Sequence, residues 1–363
     1  MRAIISGGGT AGHINPAITV ANCIRKHKSK SEILFIGTKT GMENILVPKV
    51  GYDIDYIEVS GLKRSFDIKN IAAFFKALNA CVKCWEIIKN FKPDVVIGTG
   101  GYVSGPVLYT AALMHIPTII HEQNVFAGMT SKILSKSVDT VCISFEKSRE
   151  KFSNAKNVVL TGNPIRPELL KTDYQSARNK LGIDNKPFIV SFGGSLGAKR
   201  INECMTHFVK NVPEGKYNVL FATGEREYKE VKNNLGNFNK KGIDVVSYIY
   251  NMEEVMNAAD VLICRAGAIT ISEINALGKP SILIPSPNVT DNHQYYNAKL
   301  LADNGAALMI EEKDLENKSF SKKIEDLLNN KQKLMEMSEC SAKMGIKNSD
   351  EIIYDEILKI CKK

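Results

Sequence analysis

Four stretches of the chain carry residues suited to holding phosphate. Three are glycine loops: Gly7-Gly8-Gly9-Thr10-Ala11-Gly12, Gly98-Thr99-Gly100-Gly101-Tyr102-Val103-Ser104-Gly105, and Gly193-Gly194-Ser195-Leu196-Gly197. The fourth is Gly267-Ala268-Ile269-Thr270-Ile271-Ser272-Glu273, a small-residue turn entering a helical pattern after the apolar run Val261-Leu262-Ile263. Backbone N–H groups in such loops, and at the helix starts behind them, cradle diphosphates without a metal. Glu273 could accept hydrogen bonds from the paired hydroxyls of a ribose. The stretch thus fits a nucleoside diphosphate site, and it equally fits a helix start with a favourable acidic residue.

His13 follows the first glycine loop at a helix N-terminus. The dipole there would depress its pKa and leave a neutral ring able to take a proton. It could act as general base toward a hydroxyl or bind phosphate. Asn124 and the run Asp291–Asn297, with Gln294, hold amides and carboxylates of the kind that read sugar hydroxyls. A helix capped by Asp291 explains that run as well.

Other motifs point elsewhere. Gly7-x-Gly9-x-x-Gly12 matches a dinucleotide fingerprint, but the second strand ends on Gly37-Thr38-Lys39 without the required acid. Gly193-x-Ser195-x-Gly197 matches a nucleophile elbow, with Asp260 or Asp291 and then His293 in order, which keeps a hydrolase open. Asp53-Ile54-Asp55 imitates a metal-binding D-x-D motif inside an alternating strand. No P-loop or metal-ligand spacing is present, so neither metal nor cofactor is expected.

The elements that must position these residues alternate. Strands at 2–6, 32–37, 52–59, 93–98 and 118–120 are separated by helical patterns, one with Pro16 in its first turn and one over 67–90 striped by Ile71, Phe74, Phe75, Leu78, Val82, Trp85 and Ile88. Glycine and two prolines interrupt the pattern at 161–167, and it restarts at Phe188. The expectation is an α/β protein of two doubly wound, Rossmann-like parallel-sheet domains facing a cleft, spanning 1–163 and 164–344, with a C-terminal helix from about 345 to 363 packing back on the first. A length of 363 residues also favours two domains.

The formal charge of +9 suggests a polyanionic partner. Nothing at the N-terminus resembles a signal peptide, and no apolar run approaches bilayer length. Eight scattered cysteines read as reduced thiols, including Cys81 and Cys84 of a lone C-x-x-C placed inside an amphipathic helix.

Taken in order, residues 7–13, 100–106, 121–124, 162–166, 193–198, 265–273 and 291–298 resemble the MurG family of peptidoglycan glycosyltransferases, along nearly the whole chain. The resemblance implies a GT-B fold and inverting, metal-independent transfer of N-acetylglucosamine from UDP-N-acetylglucosamine to lipid I, giving lipid II. By matching position, Glu273 would hold the uridine ribose, and Ile249 would contact uracil. Ala268, Ile269 and Thr270 would meet the donor diphosphate, and Ile271 and Ser272 would also belong to the UDP-N-acetylglucosamine site. Ser195 and Arg166 would be further donor contacts, and Asn124, Gln294, Thr10, Ala11 and Gly12 would surround the sugar. Gly9, Gly12, Gly100, Gly101, Tyr102 and Ser104 would receive the acceptor diphosphate. Ala11 stands where many relatives have glycine, which puts a left-handed conformation there in doubt.

A lipid acceptor gives the basic charge a use. Lys63, Arg64, Phe66, Phe74 and Phe75 mix apolar and basic residues, and this edge is expected to dock peripherally on the anionic cytoplasmic face of the membrane. Residues 78–90 read instead as an ordinary sheet-covering helix. Other cell-wall synthesis proteins are conceivable partners, and nucleic acid is not expected. The alternatives are a UDP-sugar:diacylglycerol glycosyltransferase and a silent nucleotide-binding scaffold.

Overall fold

The computed structural model describes residues 1–59 and 69–362, without the side chains of 69–75. The expected Lys63, Arg64 and Phe66 lie outside these residues, as do the side chains of Phe74 and Phe75. The chain divides into two units, one formed by residues 1–165 and 348–363, the other by 166–347.

The first unit runs β1 (Arg2–Gly7), α1 (Ala11–His27), β2 (Glu32–Gly37), α2 (Glu43–Lys49), β3 (Asp53–Tyr56), α3 (Lys69–Phe91), β4 (Val95–Gly100), α4 (Ser104–Leu113), β5 (Thr118–Glu122), α5 (Met129–Leu134), β6 (Thr140–Ile143) and β7 (Val158–Leu160). Its strands pair in parallel, in the order 3-2-1-4-5-6-7. Strand β1 is apolar on both faces because helices cover both. Ala3 and Ile5 pack with α1, and Ile4 faces Cys84, Ile88 and Leu108 of α3 and α4. The edge strand β3 is shorter than expected and exposes Asp53 and Asp55 to solvent. The short strands β6 and β7 were not anticipated.

Two helices differ from expectation. Helix α1 begins at Ala11, so Pro16 lies inside it rather than in its first turn. The buried side of α3 is Ala80, Cys84, Ile87 and Ile88, while Leu78, Val82 and Trp85 are 47%, 64% and 48% exposed. Ala80, Cys84, Ile87 and Ile88 pack into the core with β4 and α4, while Leu78, Val82 and Trp85 face solvent.

The second unit runs α6 (Tyr174–Leu181), β8 (Phe188–Phe192), α7 (Lys199–Asn211), β9 (Asn218–Ala222), α8 (Tyr228–Leu235), β10 (Ile243–Val246), α9 (Met252–Ala258), β11 (Val261–Cys264), α10 (Ala268–Leu277), β12 (Ser281–Leu283), α11 (His293–Asp303), β13 (Leu308–Met309), α12 (Asn317–Asn329) and α13 (Lys331–Lys343). Its parallel order is 10-9-8-11-12-13.

Helix α14 (Ser349–Cys361) returns to the first unit, with Ile353 and Ile357 fully buried against the α1 side of its core. Glu351 accepts from Lys26 Nζ at 2.8 Å and from His27 Nε2 at 2.6 Å, and the His27 and Tyr354 rings stack at 4.5 Å. Folding thus brings Cys23, His27 and Glu351 within 4.8 Å, a cluster that sequence spacing did not show. Burial, with help from Asp350 and Glu351, pushes the Cys23 thiol up to about 12, and Lys26 already occupies Glu351. The group acts as a staple for α14. All eight cysteines are free. Among the described residues no helix is long and apolar enough to cross a membrane.

Removing the buried Ile357 side chain tests how much the packing of α14 contributes to the first core. Ile357→Ala should lower stability by about 2–5 kcal/mol in urea unfolding; a loss below about 0.5 kcal/mol would mean α14 is dispensable to the first core.

Candidate functional site

In a doubly wound sheet the order of strands reverses at one place, and loops from neighbouring strands part there to leave a crevice at the carboxyl ends. In the first unit this place lies between β1 and β4. The Gly8 amide donates to Gly100 O at 3.3 Å. Gly101 has φ +81°, and a Cβ on it would fall 2.4 Å from Gly8 O, so only glycine permits this approach.

His13 enters from the first turn of α1. Its Nδ1 lies 3.0 Å from Thr99 O and 3.1 Å from Gln123 Oε1. A carbonyl oxygen only accepts, so Nδ1 carries the hydrogen and Nε2 is the basic nitrogen of the neutral ring. A Cβ at Gly100 would come 2.6 Å from Nδ1, so this glycine makes room for the ring. Gln123 Nε2 donates to Thr99 O at 2.7 Å and to His121 Nδ1 at 2.9 Å, which fixes the amide's orientation. Burial pushes His121 down to about 4, so it is neutral at pH 7, and its Nε2 donates to Gly162 O at 2.9 Å. Gln123 and His121 were not among the expected site residues. Their buried side chains hold His13, Gln123 directly and His121 through Gln123.

Other expected residues of this unit are placed as follows. Thr10 is the N-cap of α1, its side chain makes no cap bond, and no acidic residue occupies the first turn. Ala11 and Gly12 are that turn. Ala11 is helical, so its methyl creates no conflict and no left-handed glycine is needed. The Gly9 amide does not face a ligand: it donates to Glu43 Oε2 at 3.0 Å. Ser104 is fully buried, and its hydroxyl donates to Gly101 O at 2.9 Å, so its side chain is no diphosphate contact. Tyr102 is exposed. Asn124 is half-buried, with its amide N–H on Glu122 Oε1 at 3.0 Å.

In the second unit the order reverses between β8 and β11. A cavity of about 460 Å³ opens there, with Gly193, Gly197, Gly267, Thr270 and Gln294 in its wall. Gly267 caps α10 without offering a side chain, so the helix start presents backbone N–H groups. Gln294 Oε1 is held by the Ser286 amide at 2.9 Å. Arg265, which leads into α10, also lines the cavity. It donates to Ile284 O and Pro285 O at 3.2 Å and pairs with Glu312. Lys199 and Arg200, at the start of α7, add further positive charge to the wall. These cations were not anticipated, although two of them directly follow the third glycine loop. Ser195 is exposed on that loop, and Ile269 and Ser272 are half-buried on α10.

Ile271 is a core side chain and Ala268 is nearly buried, so contact from either is restricted to backbone. Ile249 is likewise buried, between the exposed Tyr248 and Tyr250. The start of α11 also departs from expectation. Asp291 and Asn292 both adopt left-handed φ, and Asn292, not Asp291, is the cap. A hydrolase triad through Asp260 is not assembled. Asp260 accepts from the Phe188 amide, Tyr174 and Arg178 at the start of β8, whereas Ser195 follows that strand's other end.

Glu273 lies in the second turn of α10 and is buried. Its Oε1 accepts from Arg166 Nε at 2.9 Å. Burial pushes this carboxyl up, and the Arg166 charge offsets only part of the shift. Arg166 is 41% exposed, so solvent screens its attraction.

Residues 3–143 match the glycosyltransferase family 28 N-terminal domain, and residues 188–353 match the family's C-terminal domain. The chain belongs to glycosyltransferase family 28. A relative from Acetivibrio thermocellus, named UDP-N-acetylglucosamine–N-acetylmuramyl-(pentapeptide) pyrophosphoryl-undecaprenol N-acetylglucosamine transferase, is 46% identical, covering 100% of this chain and 99% of its own. One of the same name from Clostridioides difficile is 43% identical, covering 99% and 89%. The crystal structure of Acinetobacter baumannii MurG superposes with a TM-score of 0.80 at 31% identity over 99% of both chains. This family 28 glycosyltransferase therefore has the GT-B fold, two parallel-sheet domains with helices on their faces. A UDP-GlcNAc 2-epimerase from Neisseria meningitidis shares the fold at 15% identity and TM-score 0.68.

The raised pKa of Glu273 has a testable sign. Its folded-state value exceeds the unfolded one, so its contribution to stability is full below about pH 4, the unfolded pKa, and is lost as pH rises through the folded value. Glu273→Gln removes this loss. The unfolding free energy of the variant minus that of the native protein should rise between pH 4 and pH 7; a flat difference would show that Arg166 fully offsets burial.

Proposed function

We propose that this glycosyltransferase moves N-acetylglucosamine from UDP-N-acetylglucosamine to the 4-hydroxyl of the muramyl sugar in undecaprenyl-diphospho-MurNAc-pentapeptide, lipid I, giving lipid II for peptidoglycan synthesis. The observation that carries this reading is full-length identity of 42–47% to relatives of that name. The geometry supports a division of labour. In the second unit, the N-terminus of α10 and the basic cavity wall suit the donor diphosphate, with Glu273 on the ribose and Gln294 toward the sugar.

In the first unit, the N-terminus of α1 suits the acceptor diphosphate. His13 Nε2 takes the proton of the 4-hydroxyl as that oxygen attacks the donor's C1. The bond from C1 to the diphosphate oxygen breaks, and UDP leaves with the electron pair. A single displacement inverts the anomeric centre. Helix N–H groups and fixed cations accept the developing phosphate charge, the role a metal fills elsewhere.

The acceptor's lipid tail calls for a docking surface. Leu78, Val82 and Trp85, spaced i, i+4, i+7 on α3, form an exposed apolar stripe flanked by the exposed Lys76, Lys83 and Lys89. This suits shallow insertion into an anionic cytoplasmic leaflet. Earlier in the chain, the basic-aromatic segment around Lys63, Arg64 and Phe66 would extend it.

Incubation with UDP-N-acetylglucosamine and a short-chain lipid I analogue should release UDP, and His13→Ala should lower turnover about 10²–10⁴-fold. Release with diacylglycerol but not with the analogue would reassign the acceptor. Glu273→Ala should chiefly weaken donor use. Replacing Leu78, Val82 and Trp85 together by Ser should reduce sedimentation with anionic vesicles; unchanged binding would remove the stripe from the docking surface.

A further inference from the structure

Glu43 opens α2, but its side chain turns inward beneath the first glycine loop and is 1% exposed. One carboxylate oxygen, Oε2, accepts from the Gly9 amide at 3.0 Å. The other, Oε1, accepts from the Thr38 amide at 2.9 Å and the Thr38 hydroxyl at 2.7 Å. Burial pushes this carboxyl up, yet the hydrogen bonds from Gly9 and Thr38 outweigh it and hold the group below its ordinary range. It forms no ion pair among the described residues.

Three glycines from separate places in the chain make room for it. A Cβ would lie 2.6 Å from Oε1 at Gly8, 2.6 Å from Cγ at Gly37, and 2.2 Å from Oε2 at Gly41. With Gly9 at φ +84°, the loop reaches its N-cap, Thr10, only through this pinned turn. Gly8 and Gly9 spend their amides inside the protein, and the His13 amide donates to Thr10 O at 3.0 Å, so the donors left to face a ligand are those of Thr10, Ala11 and Gly12.

We propose that Glu43 is a positioning residue for the transfer reaction: by anchoring Gly9 it sets the start of α1, and so the aim of Thr10, Ala11, Gly12 and His13 at the acceptor. Thr38 completes the anchor by orienting the carboxylate. This role rests on the transferase reading above. In Glu43→Gln an amide N–H would confront the Gly9 or Thr38 donor, so the loop must shift although side-chain volume is unchanged.

The experiment measures UDP affinity, and turnover of UDP-N-acetylglucosamine with the lipid I analogue normalised to UDP-binding capacity, for the native protein, Glu43→Gln, Thr38→Val and Thr38→Ser. Expected is a fall in kcat/KM for the acceptor of about 10- to 100-fold in Glu43→Gln. A smaller fall is expected in Thr38→Val, with near-native turnover in Thr38→Ser and an unchanged UDP Kd in all three. A merely structural role would lower binding capacity and leave normalised turnover untouched. Native-like normalised turnover in both Glu43→Gln and Thr38→Val overturns the proposal. If Glu43→Gln does not fold, Thr38→Val against Thr38→Ser decides. A native protein that binds UDP but transfers to no acceptor overturns the transferase reading, and this role with it.

Discussion

A helix leaves the N–H groups of its first turn without intrahelical partners, and a parallel strand that turns straight into a helix aims those groups at the open end of its sheet. Both units are arranged around this constraint. Helices α1 and α10 start at the place where strand order reverses, and Thr10 and Gly267, their caps, make no side-chain cap bond. An anion is the natural partner for such an end. The glycines that bring backbone to backbone at these turns, such as Gly101 against Gly8, follow from the short distance between strand end and helix start.

Glu43 and Glu273, both buried, are stabilised in opposite ways. Glu43 is held charged by neutral donors of its own loop, which makes it part of the scaffold. Glu273 receives one half-exposed arginine against nearly complete burial, and its charged form is the less well compensated. A carboxylate in that condition gains from further donors, such as a pair of ribose hydroxyls. His121, buried and neutral, helps to orient His13 through Gln123.

Much of the fold was legible because period and punctuation are local. Apolar runs of five or six residues, each entering a glycine loop, identify parallel strands and the end of the sheet where ligands bind. What escaped depends on which way a side chain turns once packed. Glu43 looks like a helix-start acid on a surface helix, and nothing local shows that Gly8, Gly37 and Gly41 have been emptied of Cβ atoms to admit it. Ser104 and Ile271 sit in the right motifs but point into the interior. Leu78, Val82 and Trp85 have core-like types at core-like spacing, yet Ala80 and Cys84 of the same helix take the inward face. The short strands β6, β7 and β13 have too few residues to show a period.

The central claim is a single-displacement transfer of N-acetylglucosamine to the muramyl 4-hydroxyl, carried by helix N-termini and His13. It is tested most directly by isolating the product formed with a lipid I analogue in the presence of a metal chelator and assigning its glycosidic bond by NMR. The account predicts a β-1,4 linkage, formed undiminished by the chelator. An α linkage, a different acceptor position, or loss of product on chelation would contradict it.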